Sequence, residues 1–450
     1  MKTSWLSYMA GAAAGCGLLA LALWLWPGAT VWRVYACYGF ALVASVAAYR
    51  GAGFRMASGL WLLLAAATLL FVGATVNINL YTTVLGGSPS HPVLENNDAA
   101  LAWRKALEWL YDGHTTWFRT AYPTAAMIWL FGRDILVTLM PGLTGALLTI
   151  VLTGAIARRL TGRDDMAFGA MLALAMMCYF MVQATVLIKD VPLTLAVALA
   201  ALGFLRLRDD APRHALTWAM IVAAAALMWL YRPSSLMFMV LGALVFAVRR
   251  RRVDFRFLGV AVVAFAVAAS VKLTMTTSFS PTTDLSLNGY IAPQEEHGVT
   301  ARLLGEYPFL PALVKVALLP ATMFMQFLIP FPWGFTAHNI FGPTMSVAHC
   351  QYTWYIAGAL LLYYICVLAR RSPGAMVRLV IWAVVWYAVT AYLYAGRISR
   401  YCLPALPLVM PAVSYTAIIA WRRRSLCVWL GVFVILLAAT LTVCHSIHAS

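Results

Sequence analysis

The stretch Ser88 to Tyr122 holds Glu95, Asp98, Glu108 and Asp112, whereas the 87 residues before it contain no acid at all. Asp98 has the makings of a general base: a carboxylate at a membrane rim can take a proton from an alcohol while an embedded donor supplies the electrophile. Asn96, Asn97 and Asp98 are equally good caps for a following helix, and local sequence leaves both roles open. Lys189 and Asp190 stand side by side just ahead of Pro192. Such a pair can contact a phosphate or hold a metal-bridged one, and Asp190 also suits a helix N-terminus. A snorkelling lysine beside a cap would look the same. Arg232 in Tyr-Arg-Pro, and Arg397 and Arg400 in Gly-Arg-Ile-Ser-Arg-Tyr, can each grip a phosphate by charge-assisted hydrogen bonds, or simply meet headgroups. Phe331-Pro332-Trp333 and the nearby His297, His338 and His349 could stack on a sugar, but the histidine spacing fits no metal motif. The chain lacks a Walker loop, a Gly-x-Ser-x-Gly and a dinucleotide fingerprint, so the energy for any transfer must arrive in an activated substrate.

Long apolar segments must position these groups. With 63% hydrophobic and 10% charged residues among 450, the chain carries more apolar side chain than a soluble surface tolerates. Its apolar runs reach the roughly 20 residues that cross a bilayer, and they are continuous where a barrel would alternate. An all-α polytopic membrane protein is expected. Thirteen spans are predicted, at about 5–26, 31–48, 57–82, 135–157, 166–186, 191–206, 215–230, 233–248, 257–278, 352–369, 378–395, 401–420 and 426–444. The first is read as an uncleaved anchor, on its length. The eight cysteines lie mostly in apolar runs without a Cys-x-x-Cys, which points away from a metal cage or a disulfide framework.

The net charge of +17 is a topology signal, because the basic residues sit in short clusters between the apolar runs. One side receives 20 of the 32 basic residues and five of the fifteen acids, a charge of +15 against +2 opposite. By the positive-inside rule the N-terminus is cytoplasmic, and Ser88–Asp134, Lys189, Arg232, the segment Ser278–Gln351 and Gly396–Arg400 face outward. Tyr307 to Pro330 carries Lys315 and four prolines, and a crossing there would put the arginines at 370 outside; it is read as a re-entrant or interfacial hairpin. Asp98 to Asp112 is amphipathic at helical period, with Asp98, Arg104, Lys105, Glu108 and Asp112 on one arc and Trp103, Ala106, Leu107 and Leu110 on the other. Such a helix lies in the headgroup plane, and a second interfacial piece follows over Thr115 to Phe131. The organisation read from this is two N-terminal helices (1–56), a transmembrane core with its external loop (57–278), an outer segment with the hairpin (279–351) and C-terminal helices (352–450).

The order of these features resembles the GT-C membrane glycosyltransferases, which include protein O-mannosyltransferases and the lipid A aminoarabinose transferase. Asp98 with Gly113 looks like that family's first-loop acid and glycine, and Tyr122-Pro123 is similar to its Tyr-Pro-Pro. Pro141 to Gly162, ending Ala-Arg-Arg-Leu-Thr-Gly, resembles its next helix and cytoplasmic turn; Lys189-Asp190, Arg232-Pro233 and Arg400-Tyr401-Cys402-Leu403-Pro404 with Pro407 match later turns. The chain departs in having Ala99 where the family often has Glu, and two extra spans before the third. The resemblance implies a bundle with external juxtamembrane helices, a bacterial inner-membrane location and an active site facing the periplasm. It implies a polyprenyl-phosphate-linked sugar as donor, a lipid or polysaccharide acceptor, and no nucleic acid. Asp98 would be the base, Lys189, Arg232, Arg397 and Arg400 the phosphate ligands, and Asp190 would orient the donor or a divalent cation. Tyr122, Trp333 and His338 would contact the sugar or acceptor. Two alternatives stay open: a polysaccharide polymerase or ligase using a polyprenyl pyrophosphate, and a flippase for lipid-linked sugars. The near absence of charge within the spans and of any repeat speaks against the second.

Overall fold

A computed structural model describes residues 5–25, 31–79, 82, 86–278 with breaks at 89, 93, 95–96, 115–117, 188, 210–214 and 250–251, then 319, 320, 323, 351–394, 399–421 and 424–449. Nearly all of the expected hairpin at 307–330, with Trp333, His338 and Arg397, lies outside the described residues. The helices are α1 (Trp5–Leu25), α2 (Val31–Gly51), α3 (Ala57–Asn79), α4 (Asn97–Tyr111), α5 (Ala121–Phe131), α6 (Ile135–Thr161), α7 (Asp164–Ala175), α8 (Cys178–Ala184), α9 (Asp190–Arg208) and α10 (Ala215–Tyr231). They continue as α11 (Leu236–Ala247), α12 (Phe255–Ser278), α13 (Gln351–Tyr363), α14 (Gly374–Tyr394), α15 (Leu406–Ala420) and α16 (Arg424–Ala449). Val248–Arg249 and Arg252–Val253 form a small antiparallel ladder in the turn between α11 and α12.

All thirteen expected spans fall on helices, so the protein is an all-α polytopic membrane protein. Among the described residues, seven stretches are long and apolar enough to cross a bilayer: most of α1, then α2, α3, α6, α9, Thr353–Arg371 and Cys402–Ala420. The span expected at 166–186 differs from a straight rod. It is broken into α7 and α8, which meet at 65° across Met176 and Met177, and makes an eighth crossing if the pair counts as one. The remaining five positions hold shorter apolar helices.

α9 sits at the centre, with 83% of its apolar window buried; α1 and α2 are peripheral, at 22% and 28%. Lipid tails are as apolar as leucine, so close helix approach depends on small residues. A side chain on Gly242 of α11 would sit 2.4 Å from the ring of Trp382 on α14, and one on Gly169 of α7 would sit 2.4 Å from Ser414 Oγ on α15. Ser414 in turn donates to Met166 O at 2.9 Å.

The charged residues sort to two ends. At one end Arg158 donates to Ala52 O (3.3 Å), pairs with Asp164 (2.9 Å) and covers Phe54, while Arg159 pairs with Asp209 (2.9 Å). Gly162, at φ +69°, closes α6 with its N–H on Arg158 O. At the other end of the same two helices, Arg33 of α2 meets Asp134 at the head of α6. α2 and α6 therefore run parallel and are fastened at both ends, as the parity of the expected topology requires.

Candidate active site at the end opposite the arginine cluster

The amphipathic helix appears where its period places it, as α4, shifted by one residue at each end. Ala99, Ala102, Trp103 and Ala106 are buried, whereas Arg104 is exposed. Leu107 and Leu110 are only half-buried, so the buried stripe is narrower than the projection suggests. On the polar face Lys105 Nζ donates to Glu108 Oε2 at 2.5 Å, and that bond holds the Glu108 carboxyl below its ordinary range. Asp98 stands in the first turn of this helix by its backbone. Gly113, at φ +69°, turns the chain away from α4, a conformation that favours glycine. α5 then packs back on α4, with Tyr122 edge-to-face against Trp109 at 5.4 Å.

Three turns converge at this end. Phe118 and Arg119, consecutive in the loop ahead of α5, reach two different neighbours. The Lys189 ammonium lies 5.4 Å from the Phe118 ring centroid, and the Arg119 guanidinium lies 4.5 Å over Trp229 on α10. Three residues beyond Trp229 is Arg232, where the extended backbone (φ −158°) ends α10 ahead of Pro233. Asp190 opens α9 at 1% exposure, with Thr194 Oγ1 donating to its backbone carbonyl at 2.7 Å. The short 3-10 turn Ser399–Ala405, which contains Arg400, packs on α9 and α14. Among the described residues no group of three His, Cys, Asp or Glu side chains comes together as a metal site.

Three contacts of this region are not foreseen from sequence. Asn77 of α3 reaches into the turn after α8, with Nδ2 donating to Thr185 Oγ1 at 2.7 Å and to Thr185 O at 3.3 Å. Arg33 Nη1 donates to Asp134 Oδ2 at 2.7 Å, and Asp134 Oδ1 accepts the Leu136 N–H at 2.9 Å as the cap of α6. Arg119 lies in no motif. The signals that were present are a polar Asn-x-Asn in an apolar run, a lone arginine near a span's end, and an aspartate just before one.

Residues 118–274, about a third of the chain, match the model of a family described as dolichyl-phosphate-mannose-protein mannosyltransferase. The matched segment contains Phe118, Arg119, Tyr122, Lys189, Asp190 and Arg232. This match agrees with the resemblance read from the sequence over that third of the chain. Among solved structures, the archaeal oligosaccharyltransferase AglB from Archaeoglobus fulgidus, in complex with an inhibitory peptide and a dolichol-phosphate, aligns at 16% identity with a TM-score of 0.41. The alignment covers 79% of this chain and 50% of that one, so the chain spans about half that protein's length. A comparison with curated proteins finds no match.

Proposed function

We propose that the protein transfers a sugar from a polyprenyl-phosphate-linked donor to a hydroxyl of a lipid or polysaccharide acceptor, at the periplasmic face of a bacterial inner membrane. The observation that carries this reading is the meeting of the Phe118–Arg119, Lys189–Asp190 and Trp229–Arg232 turns at the end of the bundle away from the arginine-rich one. Positive charge against the positive-inside bias, gathered at a lipid surface, suits an anion borne on a lipid.

In this reading the Asp98 carboxylate takes the proton of the acceptor hydroxyl. The acceptor oxygen bonds to the anomeric carbon as the bond from that carbon to the phosphate oxygen breaks. Polyprenyl phosphate leaves carrying the electron pair, and Lys189, Arg232, Arg397 and Arg400 stabilise the charge developing there. Asp190 orients the donor, alone or through a divalent cation, while Tyr122, Trp333 and His338 line the sugar and acceptor side.

The test is transfer in proteoliposomes from a panel of radiolabelled polyprenyl-phosphate sugars to extracted envelope lipids and glycans, comparing native protein with Asp98→Asn. Label moving to an acceptor with native protein, and at least about 100-fold slower with the variant, is the expected result. Transfer from pyrophosphate donors alone would replace this reading with a polymerase or ligase. Labelled lipid crossing the bilayer equally in both proteins, without transfer, would replace it with a flippase.

A further inference from the structure

We propose that Arg119 is a binding residue for a lipid-borne phosphate, completing a cationic site with Lys189 across the Phe118–Arg119 turn. Four arginines elsewhere have a carboxylate partner, whereas Arg206 and Arg378 bond a hydroxyl and a carbonyl, and Arg133, like Arg119, has a buried Nε without a hydrogen-bond partner. Arg33 meets Asp134, Arg158 meets Asp164, Arg159 meets Asp209 and Arg256 meets Asp254. Arg119 has no carboxylate partner among the described residues, and its Nε is buried without a hydrogen-bond partner. What holds it is the face of Trp229, at 4.5 Å. Stacking fixes the plane of a guanidinium and offsets part of its charge, but leaves its N–H donors pointing outward in that plane. A planar fork held this way suits two oxygens of one phosphate.

The position adds to the argument. Phe118 and Arg119 are adjacent, so their side chains diverge and bridge two turns, one carrying Lys189 and the other Trp229 with Arg232 one turn on. An anion seated by Arg119 would therefore be shared with turns already assigned to the donor. The identity of the lipid rests on the functional reading above; the phosphate chemistry does not. A polyprenyl-phosphate sugar and an ordinary phospholipid present the same group, and the test must separate them.

The experiment measures binding of polyprenyl phosphate, and separately of phosphatidylglycerol, to the purified full chain in nanodiscs of uncharged lipid. Native protein is compared with Arg119→Gln, Arg119→Lys and, as an exposed control on α4, Arg104→Gln. Arg119→Gln should weaken polyprenyl phosphate binding about 10- to 100-fold, the worth of a charge-assisted contact. Arg119→Lys should fall between, because lysine keeps the charge and loses the fork; it also covers the case in which the glutamine variant does not fold. Arg104→Gln should bind as native. Unchanged binding in both Arg119 variants would overturn the proposal while leaving the functional reading intact if transfer persists. Arg119-dependent binding of phosphatidylglycerol, with none of polyprenyl phosphate, would uphold the phosphate site and sink the assigned donor.

Discussion

The side-chain amide of Asn77 holds the backbone carbonyl and the hydroxyl of Thr185, 108 residues further on, at the point where the chain leaves α8 and heads for Lys189. A broken helix in a membrane leaves carbonyls without donors, and Asn77 supplies one from a neighbouring span. Asn77→Leu should lower stability by about 1–3 kcal/mol, since it strands a buried acceptor. Thr185→Val keeps the carbonyl bond and should cost only about 1 kcal/mol. Thermal melting in detergent checks the order; equal losses would show that the hydroxyl, and not the carbonyl, is what Asn77 secures.

The Arg33–Asp134 pair predicts an asymmetry. Arg33→Gln removes the guanidinium from a carboxylate that is only 4% exposed, and should cost on the order of 3 kcal/mol. Asp134→Asn keeps the oxygen that caps α6, and leaves an arginine that is 27% exposed and long enough to reach water. It should cost about half as much. The same melting measurement decides, and a larger loss for Asp134→Asn would contradict this account.

Gly242→Ala should destabilise by about 1–3 kcal/mol through overpacking, because its methyl would press on Trp382, whose indole N–H is fixed to Phe238 O at 2.9 Å. A smaller partner should relieve the clash. Adding Trp382→Leu should therefore cost less in the Gly242→Ala background than in the native one, a coupling read from the double-mutant cycle.

Acid should loosen two surface contacts. The Arg163 side-chain hydrogen bond holds Asp165 below the ordinary carboxylate value, and the Lys105 bond does the same for Glu108. A carboxyl depressed by folding adds stability above its unfolded value of roughly 4, and that stability is lost as pH falls through the depressed folded value. Both groups are solvated, and the Asp165 contribution is on the order of 0.5 kcal/mol. Melting temperature should fall slightly from pH 5 to 3, by less in Asp165→Asn; an identical profile would mean that the bond is equally present in the unfolded chain.

Helix positions were legible because each is dictated by a local run: apolar length for the spans, and the 3.6 period for α4, whose ends fall within one residue of those expected. The break between α7 and α8 was not, since Met176 and Met177 are ordinary helix residues and neither proline nor glycine marks the site. Local propensity therefore does not mark that bend. The partners of the site residues were illegible for a related reason. Asn77 and Thr185, Arg33 and Asp134, or Lys189 and Phe118 lie far apart in the chain, and periodicity reports only neighbours on one helix. Arg119 has no spacing that singles it out in the sequence, and its contact with Trp229 joins residues 110 positions apart.

The two residues that fasten α2 to α6 are separated by 101 positions, which gives the pair a meaning during biosynthesis. At ~5–20 residues per second, about 5–20 s elapse between the synthesis of Arg33 and that of Asp134. For that interval the arginine waits at the membrane rim while α3, α4 and α5 are laid down. The bond can close only once α6 has entered with its head on the same side as that of α2. An α6 inserted the wrong way round would present Arg158 and Arg159 there instead, and two like charges would meet Arg33 in place of a carboxylate. The pair therefore forms only when α2 and α6 lie parallel, and an inverted α6 would forgo it.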